Sequence, residues 1–178
     1  KPDAVLAFGG YVSAPILAAA RMRGVPYFLH EQNTVPGLVN RLFGRRARCT
    51  FLSFELALGW SVHGKTRLVG MPVRKVQGSY PPEVYPEGLD RNKATVLVSG
   101  GSQGALSMDR ALLPAVREWL RDSVQVVWQT GEAGYREIAD AVGSVPGAFV
   151  FPSLPDLYPF YAISRVVVGR SGASTLAE

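Results

Sequence analysis

Val96-Leu97-Val98-Ser99-Gly100-Gly101-Ser102-Gln103-Gly104-Ala105-Leu106 decides how the chain is read. An apolar, β-branched run enters a glycine-rich turn, and a helical pattern begins at once. Glycine lets a backbone turn sharply and approach a ligand closely. A helix start offers unpaired N–H groups and the positive end of a dipole. Together these suit an anion, most often a phosphate. The same glycines also serve a plain strand-to-helix turn.

Downstream of the turn the spacing predicts a helix over 105–120, with Met108, Leu112, Val116 and Leu120 on one face. Strands follow at 124–128, 148–151 and 165–168, alternating with helices over 133–142 and 156–163, the latter broken at Pro159. Ser171-Gly172-Ala173-Ser174-Thr175 opens a last helix. Upstream, strands are expected at 4–8, 27–29 (ending at His30), 49–52 and 67–69. A turn over 9–13, a helix over 14–22, a polar loop over 31–36 and a basic helix over 37–46 lie among them. Residues 77–93 carry Pro81, Pro82, Pro86, Gly78 and Gly88 with no apolar period, the pattern of a linker. The division expected is therefore 1–76, a linker over 77–93, and 94–178. Alternating strand and helix in both parts predicts an α/β fold of two parallel-sheet units.

The chain has 178 residues, 47% of them hydrophobic and 19% charged, a globular rather than a disordered balance. Cys49 stands alone, so no internal disulfide framework exists, which fits a reducing compartment. No apolar run reaches the roughly 18 residues of a membrane span, and no signal peptide opens the sequence. The net charge of +5 is unevenly placed: residues 1–50 hold seven cations against Asp3 and Glu31, and the rest of the chain is balanced. Such a segment attracts anionic lipid, phosphorylated substrates or nucleic acid. Both ends read as cut, since residue 3 leads straight into a core-like strand and Glu178 falls inside a helical pattern.

Several chemistries are disfavoured. Gly59-Trp60-Ser61-Val62-His63-Gly64-Lys65-Thr66 matches the phosphate-loop string, but a strand and Pro72 follow where a helix is required. The turn at Gly100 lacks the G-x-G spacing of dinucleotide binders. The next strand ends in Gln129-Thr130 instead of the acid that holds a ribose. One cysteine and two distant histidines cannot form a structural zinc site. What remains is a set of polar strand ends: His30 and Asn33, Arg74, Ser102 and Gln103, Gln129, and Ser171-Gly172. In open parallel sheets, ligands bind outside the carboxyl ends of the strands.

Gly9-Gly10-Tyr11-Val12-Ser13, His30-Glu31-Gln32-Asn33, Pro72-Val73-Arg74, Gly100-Gly101-Ser102-Gln103-Gly104-Ala105 and Arg170-Ser171-Gly172-Ala173-Ser174-Thr175-Leu176-Ala177-Glu178 resemble, in order and spacing, successive motifs of the MurG family, within glycosyltransferase family 28. The resemblance implies a GT-B architecture of two Rossmann-like domains, both incomplete here. It implies inverting transfer of N-acetylglucosamine from UDP-N-acetylglucosamine to lipid I, giving lipid II of peptidoglycan. It implies no essential metal and no cofactor beyond the donor. It assigns donor binding to Asn33, Arg74, Ser102, Gln103, Leu154, Ala173, Ser174, Thr175, Leu176, Ala177 and Glu178. In that assignment Ser102 and Gln103 meet the diphosphate, the Leu154 backbone meets uracil, and Glu178 holds the ribose. Gly9, Gly10, Tyr11 and Ser13 would meet the acceptor diphosphate.

The family's candidate catalytic base would lie before Lys1 and its sugar-reading glutamines after Glu178, so His30 is not promoted to base. Met71 departs from the family's usual Asn before Pro-Val-Arg. The implied partners are UDP-N-acetylglucosamine, lipid I, the anionic cytoplasmic face of the inner membrane with Arg21 and Arg23 as contacts, and other cell-wall enzymes, with no nucleic acid. Another UDP-sugar transferase of the same architecture, or a non-catalytic nucleotide-binding fragment, is the alternative.

Overall fold

The structure, a computed structural model, describes residues 2–59, 64–75, 79–101 and 104–178. The chain divides into two compact units, the first ending at Val73 and the second beginning at Arg74. Each is an α/β unit around one four-stranded, wholly parallel sheet, as the strand–helix alternation predicts. No helix among the described residues is long and apolar enough to cross a membrane.

In the first unit, strands β1 (Val5–Ala7), β2 (Tyr27–Glu31), β3 (Thr50–Leu52) and β4 (Thr66–Leu68) lie side by side in chain order. Side chains alternate across a strand, so Tyr27 and Leu29 share the face covered by helices α1 (Ala14–Met22) and α2 (Leu38–Gly44). They are buried there with Leu17, Ala20 and Val39. Glu31 falls on that same face. Strand β2 runs past the predicted end at His30 to Glu31, which pairs with Leu52 of β3. The phosphate-loop-like string leads into β4, with no helix after Thr66. Its residues 60–63 lie outside the described residues.

In the second unit, β5 (Thr95–Ser99), α3 (Leu106–Arg121), β6 (Gln125–Gln129), α4 (Glu132–Val142), β7 (Ala148–Phe151), α5 (Tyr158–Ile163), β8 (Val166–Gly169) and α6 (Ala173–Ala177) follow one another. The spatial order is β7-β6-β5-β8. Both faces of the sheet are apolar. Val96, Val98, Val126 and Trp128 pack with Val116, Leu120, Ile138 and Val142 of α3 and α4. Leu97 and Val127 face the other way, against Phe160 of α5. The predicted four-residue stripe on α3 is the stripe that packs here, with Met108 and Leu112 at its edge.

Two expectations change. Pro159 does not break α5; it occupies the first turn, where its missing N–H has no helical partner to lose. The described part of the proline-rich segment, 79–93, is packed onto the second unit instead of hanging as a connector. Tyr85 and Leu89 join the apolar cluster around Phe160. The Tyr85 hydroxyl donates to the Pro159 carbonyl at 3.3 Å, and Asp90 and Gln125 exchange two hydrogen bonds at 2.9 and 2.7 Å. Without this cover the α5 face of the sheet would lack part of its burial.

Asp109, in the first turn of α3, is fully buried. One carboxyl oxygen accepts the Trp128 indole N–H at 2.8 Å; the other has no partner among the described residues. Burial pushes this carboxyl above the ordinary range, while hydrogen bonding to Trp128 and at Ala105 pulls the other way. The folded value thus exceeds the unfolded one. Its contribution to stability is full below the unfolded carboxyl range and is lost as pH rises through the folded value. Asp109→Asn keeps an acceptor for Trp128 and removes the buried charge. Thermal denaturation should show a gain in Tm at pH 8 and little gain at pH 4; equal shifts at both pH values would contradict it.

Candidate functional site

The strand order of the second sheet creates a switch point. From β5 the chain moves through β6 and β7 on one side, then returns to place β8 on the other side of β5. The connection leaving β5 therefore turns away from β8, and a crevice at the carboxyl ends beside such a reversal is where open α/β sheets hold ligands. Ser99 and Gly169 are paired at that edge, ahead of the turns at Gly100–Gly104 and Arg170–Gly172.

The first turn can be built only with glycine at two of its positions. A Cβ on Gly104 (φ +75°) would sit 2.1 Å from the Thr130 carbonyl oxygen. A Cβ on Gly100 would sit 2.5 Å from the Ala105 nitrogen. The turn is folded tightly under α3, with the Gly104 N–H donating to the Gly101 carbonyl at 2.9 Å. It presents the start of a sixteen-residue helix to the crevice, the arrangement that binds phosphate through backbone N–H groups. Ser102 and Gln103 lie outside the described residues.

The second unit also holds a cluster in which Tyr158 is the hub. Its hydroxyl accepts the backbone N–H of Arg74 at 3.1 Å and donates to Glu178 Oε1 at 3.3 Å. Its ring lies under the Arg74 guanidinium, 4.5 Å from the centroid. Its backbone N–H donates to Asp156 Oδ1, the same oxygen that the Arg74 guanidinium reaches at 3.2 Å. The Arg74–Asp156 pair is largely exposed and adds little stability by itself. Its effect is to orient a cation that keeps most of its surface open. The Tyr161 hydroxyl donates to Glu178 Oε2 at 3.1 Å. Burial first, then Glu178, pushes the Tyr161 phenol up to about 12, so it remains a donor across neutral pH.

The structure thus brings Arg74 and Glu178 together through Tyr158, within the second unit. Sequence reasoning had named both and had placed Arg74 in the first part of the chain. It missed Asp156, Tyr158 and Tyr161. A signal existed: two tyrosines three residues apart in a helical pattern, each with a hydroxyl that needs a partner when buried. Leu154 lies in the loop after β7, with its backbone N–H donated to Gln129 Oε1 at 3.0 Å. Residues 173–177 form α6 directly after the Gly172 turn.

In the first unit, Gly9 and Gly10 adopt φ +80° and +78°. They lead into a short 3-10 turn over Tyr11–Ser13, where the Ser13 hydroxyl donates to the Gly10 carbonyl at 2.8 Å. Tyr11 is exposed. Asn33 follows β2, and both its backbone N–H and its side-chain amide donate to Glu31 Oε1 at 2.9 and 3.2 Å. Glu31 is buried, and its other oxygen accepts from the Gly37 N–H at 2.9 Å and Asn40 Nδ2 at 2.8 Å. His30 is 5% exposed, with Nε2 against the Gly70 carbonyl at 3.2 Å and the ring beside Phe8. That is the setting of a packed side chain, not of a proton acceptor open to substrate.

At the opposite, amino-terminal edge of the first sheet lies an open concavity of about 570 Å³. Arg21, Arg45, Arg46, Arg48 and Lys65 line it, and among the described residues no acid does. It collects much of the positive excess seen in residues 1–50.

Two parallel-sheet α/β units, one with a glycine turn at a switch point, define a protein of Rossmann-like, GT-B construction. Residues 1–52 match the glycosyltransferase family 28 N-terminal domain, and residues 95–178 match its C-terminal domain. The chain belongs to glycosyltransferase family 28. A relative from Syntrophotalea carbinolica is 40% identical over all of this chain and 49% of its own length. One from Thermodesulfovibrio yellowstonii is 33% identical over 99% of this chain and 50% of its own. Both are named UDP-N-acetylglucosamine--N-acetylmuramyl-(pentapeptide) pyrophosphoryl-undecaprenol N-acetylglucosamine transferase. The crystal structure of Acinetobacter baumannii MurG superposes with a TM-score of 0.71 at 25% identity, over 98% of this chain and 48% of that one. The chain spans about half the length of the curated relatives it matches.

Proposed function

We propose that this chain supplies the UDP-sugar site and part of the acceptor site of an enzyme that transfers N-acetylglucosamine, with inversion, from UDP-N-acetylglucosamine to lipid I to form lipid II. The observation that carries the reading is the glycine turn at the β5–β8 switch point, with Gly100 and Gly104 obligatory in it. The names of the relatives point to the same reaction.

In this reading the leaving UDP is met by the turn's N–H groups, by Ser102 and Gln103, and by the start of α3. Its diphosphate is also countered by Arg74, whose open guanidinium is pre-oriented by Tyr158 and Asp156. These groups stabilise the charge that develops on the departing oxygen, and no cofactor beyond the donor enters the scheme. The Leu154 backbone faces the base, and residues 173–177 continue the nucleotide site. Glu178, already bridged by two tyrosine hydroxyls, accepts from the ribose. Asn33 contributes to the donor from its place beside Glu31. Gly9, Gly10, Tyr11 and Ser13 receive the acceptor diphosphate, whose muramyl hydroxyl needs a base from elsewhere in the protein.

Titration calorimetry with UDP and UDP-N-acetylglucosamine tests the site in the protein that carries this chain. Ser102→Ala, Arg74→Ala and Glu178→Ala should each weaken UDP binding by about tenfold or more, the value of one charge-assisted hydrogen bond. Unchanged affinity in all three would refute the assignment.

The acceptor is lipid-borne, and the proposed location is peripheral, on the cytoplasmic face of the bacterial inner membrane. There the basic concavity and Arg23 would meet anionic lipid and neighbouring cell-wall enzymes. Polybasic surfaces gain on the order of 1 kcal/mol per cation at such a membrane. Flotation with vesicles should show binding that requires anionic lipid and is weakened by Arg45→Glu with Arg48→Glu. Equal binding to neutral vesicles would rule it out.

A further inference from the structure

We infer that Gln129, a residue to which the reading above gives no role, is the positioning residue that sets the distance between the diphosphate turn and the base-facing loop. It thereby governs which nucleobase is accepted. The inference rests on the nucleotide reading. Gln129 ends β6, the strand flanked by β5 and β7, and is paired with Ser99 on one side and Phe151 on the other. Its side chain is 4% exposed. Nε2 donates to the Gly101 carbonyl at 3.2 Å, and Oε1 accepts the Leu154 N–H at 3.0 Å. One partner is an acceptor and the other a donor, so only one orientation of the amide satisfies both.

The placement matters because the sheet's own ladder stops at Ser99 and Phe151. Beyond those residues the two loops are free of strand pairing, and this amide spans them from the strand between. In the reading above the Leu154 backbone faces the base; its N–H is taken by Gln129, so the backbone group it would turn to the base is its carbonyl. A carbonyl accepts from a ring N–H, which uracil presents at N3, and meets a lone pair at N3 of cytosine. A buried neutral amide is the one side chain of this length that donates to one loop and accepts from the other. A glutamate would accept from Leu154 but repel the Gly101 carbonyl.

The test uses the protein that carries this chain, with UDP and CDP as probes. Gln129→Met keeps length and burial and removes both hydrogen bonds; Gln129→Glu removes only the donor. Both should raise the donor KM about tenfold with kcat changed less than about threefold. Gln129→Met should also narrow the UDP-to-CDP affinity ratio by about tenfold. A purely structural role would weaken UDP and CDP equally and lower Tm, and an unchanged ratio in a folded variant overturns the proposal. If Gln129→Met does not fold, the KM-to-kcat split in Gln129→Glu decides. Unsubstituted protein that binds no UDP overturns the nucleotide reading itself, an outcome distinct from UDP binding that is indifferent to Gln129.

Discussion

Gly104→Ala should cost about 2–5 kcal/mol of stability and abolish measurable UDP binding. Two penalties combine. A left-handed backbone costs an L-residue roughly 1–2 kcal/mol, and φ at Gly104 is +75°. The new Cβ would also lie 2.1 Å from the Thr130 carbonyl oxygen. Relief requires moving either the turn or the strand end after β6, and overpacking of this kind costs about 1–3 kcal/mol more. Gly24→Ala is the matched control. Gly24 also has positive φ, +64°, but nothing stands within 4 Å of its would-be Cβ, so only the first penalty applies. Denaturant titration of both variants separates the terms. A Gly104→Ala loss no greater than that of Gly24→Ala would show that the turn shifts freely, and the tight phosphate-binding geometry would then be unsupported.

Glu31→Ala should destabilise the first unit by about 2–3 kcal/mol. The carboxylate is 2% exposed and accepts four hydrogen bonds, from the Asn33 N–H, Asn33 Nδ2, the Gly37 N–H and Asn40 Nδ2. Its removal leaves one N–H of the buried Asn40 amide unpaired, at roughly 1–3 kcal/mol, and unties the exposed Asn33 and Gly37 from the network. It also releases the start of α2, since Gly37 is the residue that caps that helix. Glu31→Gln preserves shape and one acceptor oxygen but turns an NH2 group toward donors, so an intermediate loss is expected. Urea denaturation ranks the three proteins. Glu31→Ala within 1 kcal/mol of the unsubstituted chain would mean that the network contributes little.

These two sites show how unevenly the sequence announces its structure. Gly100 to Gly104 could be recognised as a special turn from composition alone, because a strand pattern ran directly into a helix pattern. The stripe Met108, Leu112, Val116 and Leu120 was likewise legible, since one amphipathic face repeats locally. Glu31 was not. It read as part of a polar loop, and only its pairing with Leu52 and its place under α2 make it a buried hub. Tyr158 was hidden for a similar reason: its partner Arg74 lies 84 residues away. The segment over 77–93 reads as a linker because prolines erase periodicity. Tyr85 and Leu89 within it still cover an apolar sheet face, and a face is filled by whatever chain passes over it.

Strand–helix alternation, parallel sheets, the glycine turn and the family motifs followed from the amino-acid sequence by itself. All of these depend on residues within a few positions of one another, through helix and strand period, glycine freedom and fixed spacing. Only the tertiary structure decided the order β7-β6-β5-β8 and hence the switch point. It alone decided that Arg74 meets Glu178 through Tyr158, and that Gln129 joins Gly101 to Leu154. Each of those is a pairing between distant segments, set by how sheets close and which faces must be buried, and no local pattern encodes it.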